Sequence, residues 1–343
     1  MGREGLAGAA APLSVGLVGD VMLGRGVARA IEVYGVDHPL GAVTPLLADA
    51  DVLFGNLECA FTQRVVHGDE GSGGTAYLRA DPRHVDVLRR AGFDAVSLAN
   101  NHVGDFGPVG ILDTLAALGA AGIGHAGAGS DLTTAETPVR LVRCGWRVSM
   151  LAFADHPAAW AAGPSTPGIR YVSLDPAGLA RARAAVTAER ANADLLVVSL
   201  HVRLRAEGTR ARPHPAVRSF ARALVEAGAD VVWGHGAHVV QGVEWVHDRP
   251  VIYDAGDVVD DYAADPQLRN DLGAVCLVRA RRGGIDAVEV VPTRIRGMRS
   301  MPAEGVELAR ALARVASLCA ELGTPSEVVG GRVRVPAPSP EMA

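Results

Sequence analysis

Seven apolar runs in this chain end on the same kind of residue. "LSVGLVGD" (13–20), "ADVLFGNLE" (50–58), "FDAVSLANNH" (93–102), "RVSMLAFAD" (147–155), "DLLVVSLH" (194–201), "ADVVWGHGAH" (229–238) and "RPVIYDAGD" (249–257) each pass from Val, Leu, Ile or Phe into Asp, Glu, Asn or His. Ala-, Leu- and Arg-rich stretches with helical spacing separate them, such as "GRGVARAIEVYG" (24–35), "VGILDTLAALGAAG" (109–122) and "HPAVRSFARALVEAG" (214–228). Continuous Val/Leu/Ile runs mark strands buried on both faces, and helices between them predict an α/β layer structure. In such sheets functional groups gather beyond the carboxyl ends of the strands. A single Asp or Asn at a strand end is explained by a turn or a helix cap. Seven polar strand ends together predict one shared site.

Composition narrows the classes. With 343 residues, 49% of them hydrophobic, the chain can bury a large core. Residues 13–300 are expected to form one domain. Residues 301–343 are expected to add a helix ("EGVELARALARVASLCAELG"), a short strand ("VVGGRVRV") and a Pro-rich tail. The formal charge is −5, and the basic residues, all Arg, are scattered among acids, so no basic field suits nucleic acid. Cys59, Cys144, Cys276 and Cys319 are far apart and form no CxxC, which predicts reduced thiols. No window holds 18 uninterrupted apolar residues and the N-terminus has no convincing signal peptide, so the expectation is a cytoplasmic protein without a membrane span. The oligomeric state is not legible. "HGDEGSGGT" (67–75) and "PAAWAAGPSTPG" (157–168) read as loops.

The strand ends supply Asp20, Asn56, Glu58, Asn100 or Asn101, His201, His235 and His238. Carboxylates, amide oxygens and imidazoles together suit a divalent cation, with Ca²⁺, Mn²⁺, Zn²⁺ and Fe²⁺ all open. "GHGAH" is the sharpest element, since two His three apart after a buried strand can converge on one point. Each residue also has a plainer explanation. Asp20 could cap a helix, His201 could be a core histidine, and one of His235 and His238 could bond a backbone carbonyl.

"GDVMLGRGV", "FGNLECAFT", "FDAVSLANNHVGDFG", "GIGHAGAG", "GADVVWGHGAHVVQGVEW" and "VIYDAGD", in this order across residues 13 to 262, together resemble the CapA family of poly-γ-glutamate capsule-synthesis-type proteins. The resemblance implies a calcineurin-like metallophosphatase fold, an αββα sandwich with a metal site at the strand C-terminal ends. It also implies that in "NNH" Asn101 binds metal and His102 acts as an acid. The chain departs from the family pattern in three places. Met22 stands where Asp-x-His is usual, "HVR" (201–203) where "HWG" is usual, and Asp254-Ala255-Gly256-Asp257 where "SLGN" is usual. Met22 is a poor ligand for a hard cation, so a single ion is expected rather than a pair.

Within that family the chain is similar to the peptide epimerases of lasso-peptide biosynthesis. That implies inversion at the Cα of a precursor peptide's C-terminal residue. In this reading Asp20, Asn56, Glu58, Asn101, His201 and His235 hold the metal. His102 with Asp105 and His238 with Asp257 move protons on two sides. Arg25, Arg203 and Arg205 are candidate anchors for the peptide carboxylate. The alternatives are hydrolysis of a phosphoester or amide by a metal-bound water, and a non-enzymatic role in capsule polymer assembly.

Overall fold

The computed structural model describes residues 11–65, 77–203 and 210–338. The first part alternates as expected: β1 (Leu13–Val21), α1 (Arg25–Tyr34), β2 (Val52–Leu57), α2 (Val85–Ala91), β3 (Ala95–Ser97), α3 (Gly107–Ala121) and β4 (Gly124–Ala126). A second series follows with β5 (Val139–Arg143), β6 (Trp146–Ala154), α4 (Pro176–Arg190), β7 (Leu195–His201), α5 (Pro215–Glu226) and β8 (Val231–His235). The rest includes β9 (Val243–Val246), β10 (Arg249–Ile252), β11 (Asp257–Val259), β12 (Leu272–Arg281), β13 (Gly284–Ile295), to which the short strand Ser300–Pro302 pairs, α6 (Gly305–Glu321), β14 (Glu327–Val329) and β15 (Arg332–Pro336).

The strands form two principal sheets. The larger has the order β14-β15-β13-β12-β1-β2-β3-β4, with β11 beside the end of β1. The smaller has the order β9-β10-β8-β7-β6-β5. Strands β1 to β4 are parallel neighbours, as are β6, β7, β8 and β10, while the β5 and β9 edges run antiparallel.

Side-chain alternation assigns the faces of the smaller sheet. Val148 and Met150, Leu195 and Val197, and Val231 and Trp233 join one core with β1, β2 and β12. Their neighbours Leu151, Leu196, Val198 and Val232 join a second core with Ala182 and Val186 of α4 and Phe220 and Leu224 of α5. The smaller sheet therefore meets the larger sheet's core on one face and helices on the other. Both faces are dry, which is why its strands read as unbroken apolar runs.

Two segments differ from the sequence reading. Residues 272–295, unremarked there, form the long antiparallel hairpin β12–β13. The run "LGAVCLV" (272–278) that opens it is apolar and buried, but it passes into Arg279 and Arg281, which pair with Glu289 and Asp286 of the returning strand, rather than into Asp, Asn or His. "VVGGRVRV" is a two-stranded hairpin rather than one strand. It turns on Gly330 and Gly331, both at positive φ, and β15 pairs with β13. Within 157–168 lie a 3-10 turn, Ala158–Trp160, and the start of a short strand, Gly168–Ile169. The stretch 67–75 and the last tail residues lie outside the described residues. No helix among the described residues is long and apolar enough to cross a membrane.

The register brings polar strand ends together. Asp20 is aligned with Asn56 of β2 on one side and Asp257 of β11 on the other. That alignment needs a close approach: the Asp20 N–H donates to Gly256 O at 3.1 Å, and a Cβ on Gly19 would stand 1.5 Å from the same oxygen. Gly19 is thus a backbone-spacing residue for the site. Gly19→Ala is expected to cost more than about 2 kcal/mol of stability, because backbone on both strands would have to move. Urea unfolding checks this, and a loss under about 0.5 kcal/mol, the range of neutral surface changes, would contradict it.

Candidate metal centre

Asp20 is the last residue but one of β1, Glu58 follows β2, Asp257 opens β11, and His238 lies in the loop after β8. One ligand atom from each lies within 4.8 Å of the others. His238 Nδ1 is 2.9 Å from Asp257 Oδ1, 3.2 Å from Asp20 Oδ2 and 3.8 Å from Glu58 Oε2. All three carboxylates are about 1% exposed. Asp20 Oδ2, Asp257 Oδ2 and both Glu58 oxygens nevertheless lack an aligned hydrogen bond. Buried carboxylate oxygens left this way cost several kcal/mol each unless a counter-charge meets them. An oxygen-rich donor set with one imidazole fits a divalent cation, and the unbonded oxygens could serve as its ligands.

The electrostatics follow from the crowding. Burial pushes the Glu58 carboxyl well above the usual range, and the charge of Asp20 adds to the push. Burial raises Asp20 too, but the close approach and charge of the His235 and His238 imidazoles outweigh it and hold that carboxyl well below normal. Burial opposes charge on His238, yet Asp257 and Glu58 more than offset this and favour the imidazolium. His238 also has φ +57, a left-handed conformation that costs a non-glycine residue about 1–2 kcal/mol. Strain of this kind persists where the surroundings over-determine the residue.

Around the cluster lie the other predicted ligands. Asn56 Nδ2 donates to Asp20 Oδ1 at 2.7 Å and lies 3.4 Å from His201 Nδ1. Asn56 Oδ1 accepts from Asn100 Nδ2 at 3.1 Å, so its oxygen faces away from the carboxylates. His201 Nε2 is 2.8 Å from Asn101 Oδ1 and 3.8 Å from Glu58 Oε1. Desolvation depresses the His201 pKa strongly, which keeps that ring neutral. His235 stacks edge-on against Trp233 and has Nδ1 3.3 Å from Asp20 Oδ1, misaligned for a hydrogen bond. The four-residue grouping therefore joins Asp20 and Glu58 to His238 and Asp257, which were expected to move protons. Asn56, Asn101, His201 and His235 border it.

The two asparagines of "NNH" are distinguished by their contacts. Asn100 is scaffold: its Nδ2 also donates to Leu57 O at 2.8 Å, and its Oδ1 accepts from the His102 and Val103 N–H groups at 3.0 Å each. Asn101 is the one that reaches His201. His102 Nδ1 is 2.9 Å from Asp105 Oδ2, which also accepts the Leu78 N–H at 2.6 Å. Met22 Sδ accepts the Gly24 N–H at 3.1 Å and so turns into its own loop.

Of the expected carboxylate anchors, Arg25 is already paired with Asp261, which in turn accepts the Gly26 N–H at 2.8 Å. The Arg25 guanidinium also sits 5.4 Å above the Tyr262 ring. The Arg203 backbone N–H donates to Asp155 Oδ1 at 2.9 Å. Arg205 lies outside the described residues. Asp254, given no role in the sequence reading, braces the site. Its Oδ2 accepts from Ala237 N and its Oδ1 from Gly256 N, both at 2.7 Å, tying the "GHGAH" loop to the turn before Asp257. A buried Asp that accepts two N–H groups from separate loops leaves no mark in sequence spacing.

Residues 14–262 match the family model described as bacterial capsule synthesis protein PGA_cap. The chain is 31% identical over 286 residues to the capsule biosynthesis protein CapA of Bacillus anthracis, spanning 83% of this chain and 68% of that protein. It is 33% identical over 263 residues to a probable polyglutamine synthesis accessory protein of Mycobacterium tuberculosis, spanning 73% and 67%. It is 28% identical over 285 residues to the PGA biosynthesis protein CapA of Bacillus subtilis, spanning 82% and 72%.

Two outcomes follow from the geometry. Asn100→Ala should lose about 2 kcal/mol or more, since it leaves buried backbone donors unpaired, whereas Asn101→Ala should stay within about 1 kcal/mol of wild type. Equal losses in denaturant melts would contradict the division of roles. Glu58→Gln should raise the melting temperature of metal-free protein by removing one of three crowded carboxylates, and should abolish the stabilisation that added Mn²⁺ gives wild type. A Glu58→Gln protein still stabilised by Mn²⁺ as wild type is would exclude Glu58 from the centre.

Proposed function

The chain belongs to the PGA_cap family of bacterial capsule synthesis proteins, and from that premise we propose a divalent-metal-dependent enzyme that inverts the Cα of a peptide's carboxyl-terminal residue. In this reading the two sheets and their flanking helices are the αββα frame of a metallophosphatase. The observation that carries the proposal is the His102–Asp105 pair, a buried imidazole held at Nδ1, within one residue of Asn101 and its link to His201. An imidazole fixed in this way keeps Nε2 for proton transfer.

Asp20, Glu58, His238 and Asp257 would hold the ion, which when bound would supply positive charge to offset the negative charge that develops on the substrate carbonyl. Removal of the Cα proton sends the C–H electron pair into the adjacent carbonyl. Return of a proton on the opposite face inverts the centre, with no oxidant or reductant needed. His102 serves one face, with Asp105 holding its tautomer. The substrate carboxylate needs a cation that is not already paired; Arg25 is held by Asp261, while Arg203 has no ion pair among the described residues, which favours Arg203. The relatives' names concern capsule, PGA and polyglutamine synthesis, so glutamyl polymers belong among the probes.

A second reading, hydrolysis of a phosphoester or amide, draws on the same residues. His102 would protonate a leaving group, and the carboxylate cluster would hold the ion that activates water.

The test uses D₂O with Mn²⁺, a panel of short peptides with each proteinogenic carboxyl-terminal residue, and γ-linked L-glutamate oligomers. Wild type should invert at least one probe and place deuterium at its Cα. EDTA, and separately His102→Ala, should lower inversion by about a hundredfold or more. Cleavage of a probe or of p-nitrophenyl phosphate, with no inversion of any probe, would replace this reading with the hydrolytic one.

A further inference from the structure

Inversion needs an acid or base on each face of the substrate carbon, and the expected second pair, His238–Asp257, is drawn into the carboxylate cluster. His238 Nδ1 lies within 3.8 Å of three carboxylates at once. An imidazole that serves as a ligand has its lone pair engaged and is not free to accept a proton.

Another imidazole–carboxylate pair stands beside the centre but outside the four-residue cluster. Strand β6 ends at Ala154, and Asp155 and His156 follow. His156 Nδ1 is 2.5 Å from Asp155 Oδ1, and the same oxygen accepts the Arg203 N–H at 2.9 Å. The Asp155 N–H donates to His201 O at 3.1 Å, so the ends of β6 and β7 hold this carboxylate in place. The His156 ring lies 5.3 Å from the His201 ring, inclined by 33°. His201 in turn contacts Asn101, the residue before His102.

The His156 and His102 loops also pack on each other. The indole of Trp160 lies against Gly104, where a Cβ would stand 2.6 Å from the ring. His156 keeps 16% of its side chain open, and its Nε2 has no hydrogen bond among the described residues. An oriented imidazole with a carboxylate at Nδ1 and an accessible Nε2 is the arrangement that general acid/base chemistry uses.

We propose that His156, held by Asp155, is the second acid/base of the reaction, opposite His102, and that His238 belongs to the metal cluster instead. The inference rests on the epimerase reading. His156 Nε2 takes the Cα proton, the C–H electron pair moves into the carbonyl, and protonated His102 delivers a proton to the other face. The reverse reaction exchanges the two roles. Neither direction requires a co-reactant.

Two measurements test this. Mn²⁺ titration calorimetry needs no substrate: His238→Ala should weaken binding about tenfold or more, while His156→Ala and Asp155→Asn should remain within about twofold of wild type. On a peptide that wild type inverts, His156→Ala should lower inversion about a hundredfold or more. It should still exchange Cα hydrogen without inversion from the one configuration that faces His102, and His102→Ala should do so only from the other. Normal inversion by His156→Ala overturns the proposal and leaves the epimerase reading intact. Loss of exchange from both configurations, or Mn²⁺ binding as weak as in His238→Ala, also overturns it. Failure of wild type to invert any peptide removes the epimerase reading and this base with it.

Discussion

Three carboxylates share one dry space around a single imidazole, and much of the molecule's architecture is arranged to keep them there. Asp20, Glu58 and Asp257 come from three separate segments and are all buried. Mutual repulsion and lost hydration both oppose such a grouping, and one imidazolium at His238 neutralises only part of it. The fold meets this with rigid backbone. The parallel register of β1 with β2 and β11 fixes the carboxylates side by side. Gly19 lets the strands approach, and Asp254 ties the two loops behind them. A carboxylate cluster that burial and repulsion both oppose, held by rigid elements, is a candidate binding centre, since these residues could hold a divalent ion.

The groups around the cluster divide by what they touch. Asn100 bonds backbone and Asn56, and stabilises the loop. His201 and Asn101 form a bridge from the cluster towards the two outer dyads, His102–Asp105 and His156–Asp155. In each dyad a carboxylate from a neighbouring position of the same loop orients Nδ1. Such local pairs are cheap to form, because few residues need ordering to bring them together.

Much of this was legible in the sequence, and the illegible parts have physical reasons. The strand ends gave Asp20, Glu58, His201, His235 and His238 because a parallel sheet aligns the carboxyl ends of its strands. The same rule pointed to Asp155-His156, but with no partner in view the pair did not stand out from a turn. The fate of Arg25 could not be read, since Asp261 lies 236 residues away. The direction of the Asn56 amide depends on Asn100, which spacing does not reveal. The β12–β13 hairpin escaped because the apolar run 272–278 ends in Arg rather than in Asp, Asn or His, and β13 interleaves Asp286 and Glu289 with its apolar residues. Residue types and order were thus readable, while side-chain direction and long-range pairing were not.

The centre itself is most directly tested by anomalous diffraction from crystals soaked in Mn²⁺. One strong peak is expected within about 2.6 Å of atoms from Asp20, Glu58, His238 and Asp257. A cluster without a peak, or a peak held by other residues while these four keep only one another, would contradict it.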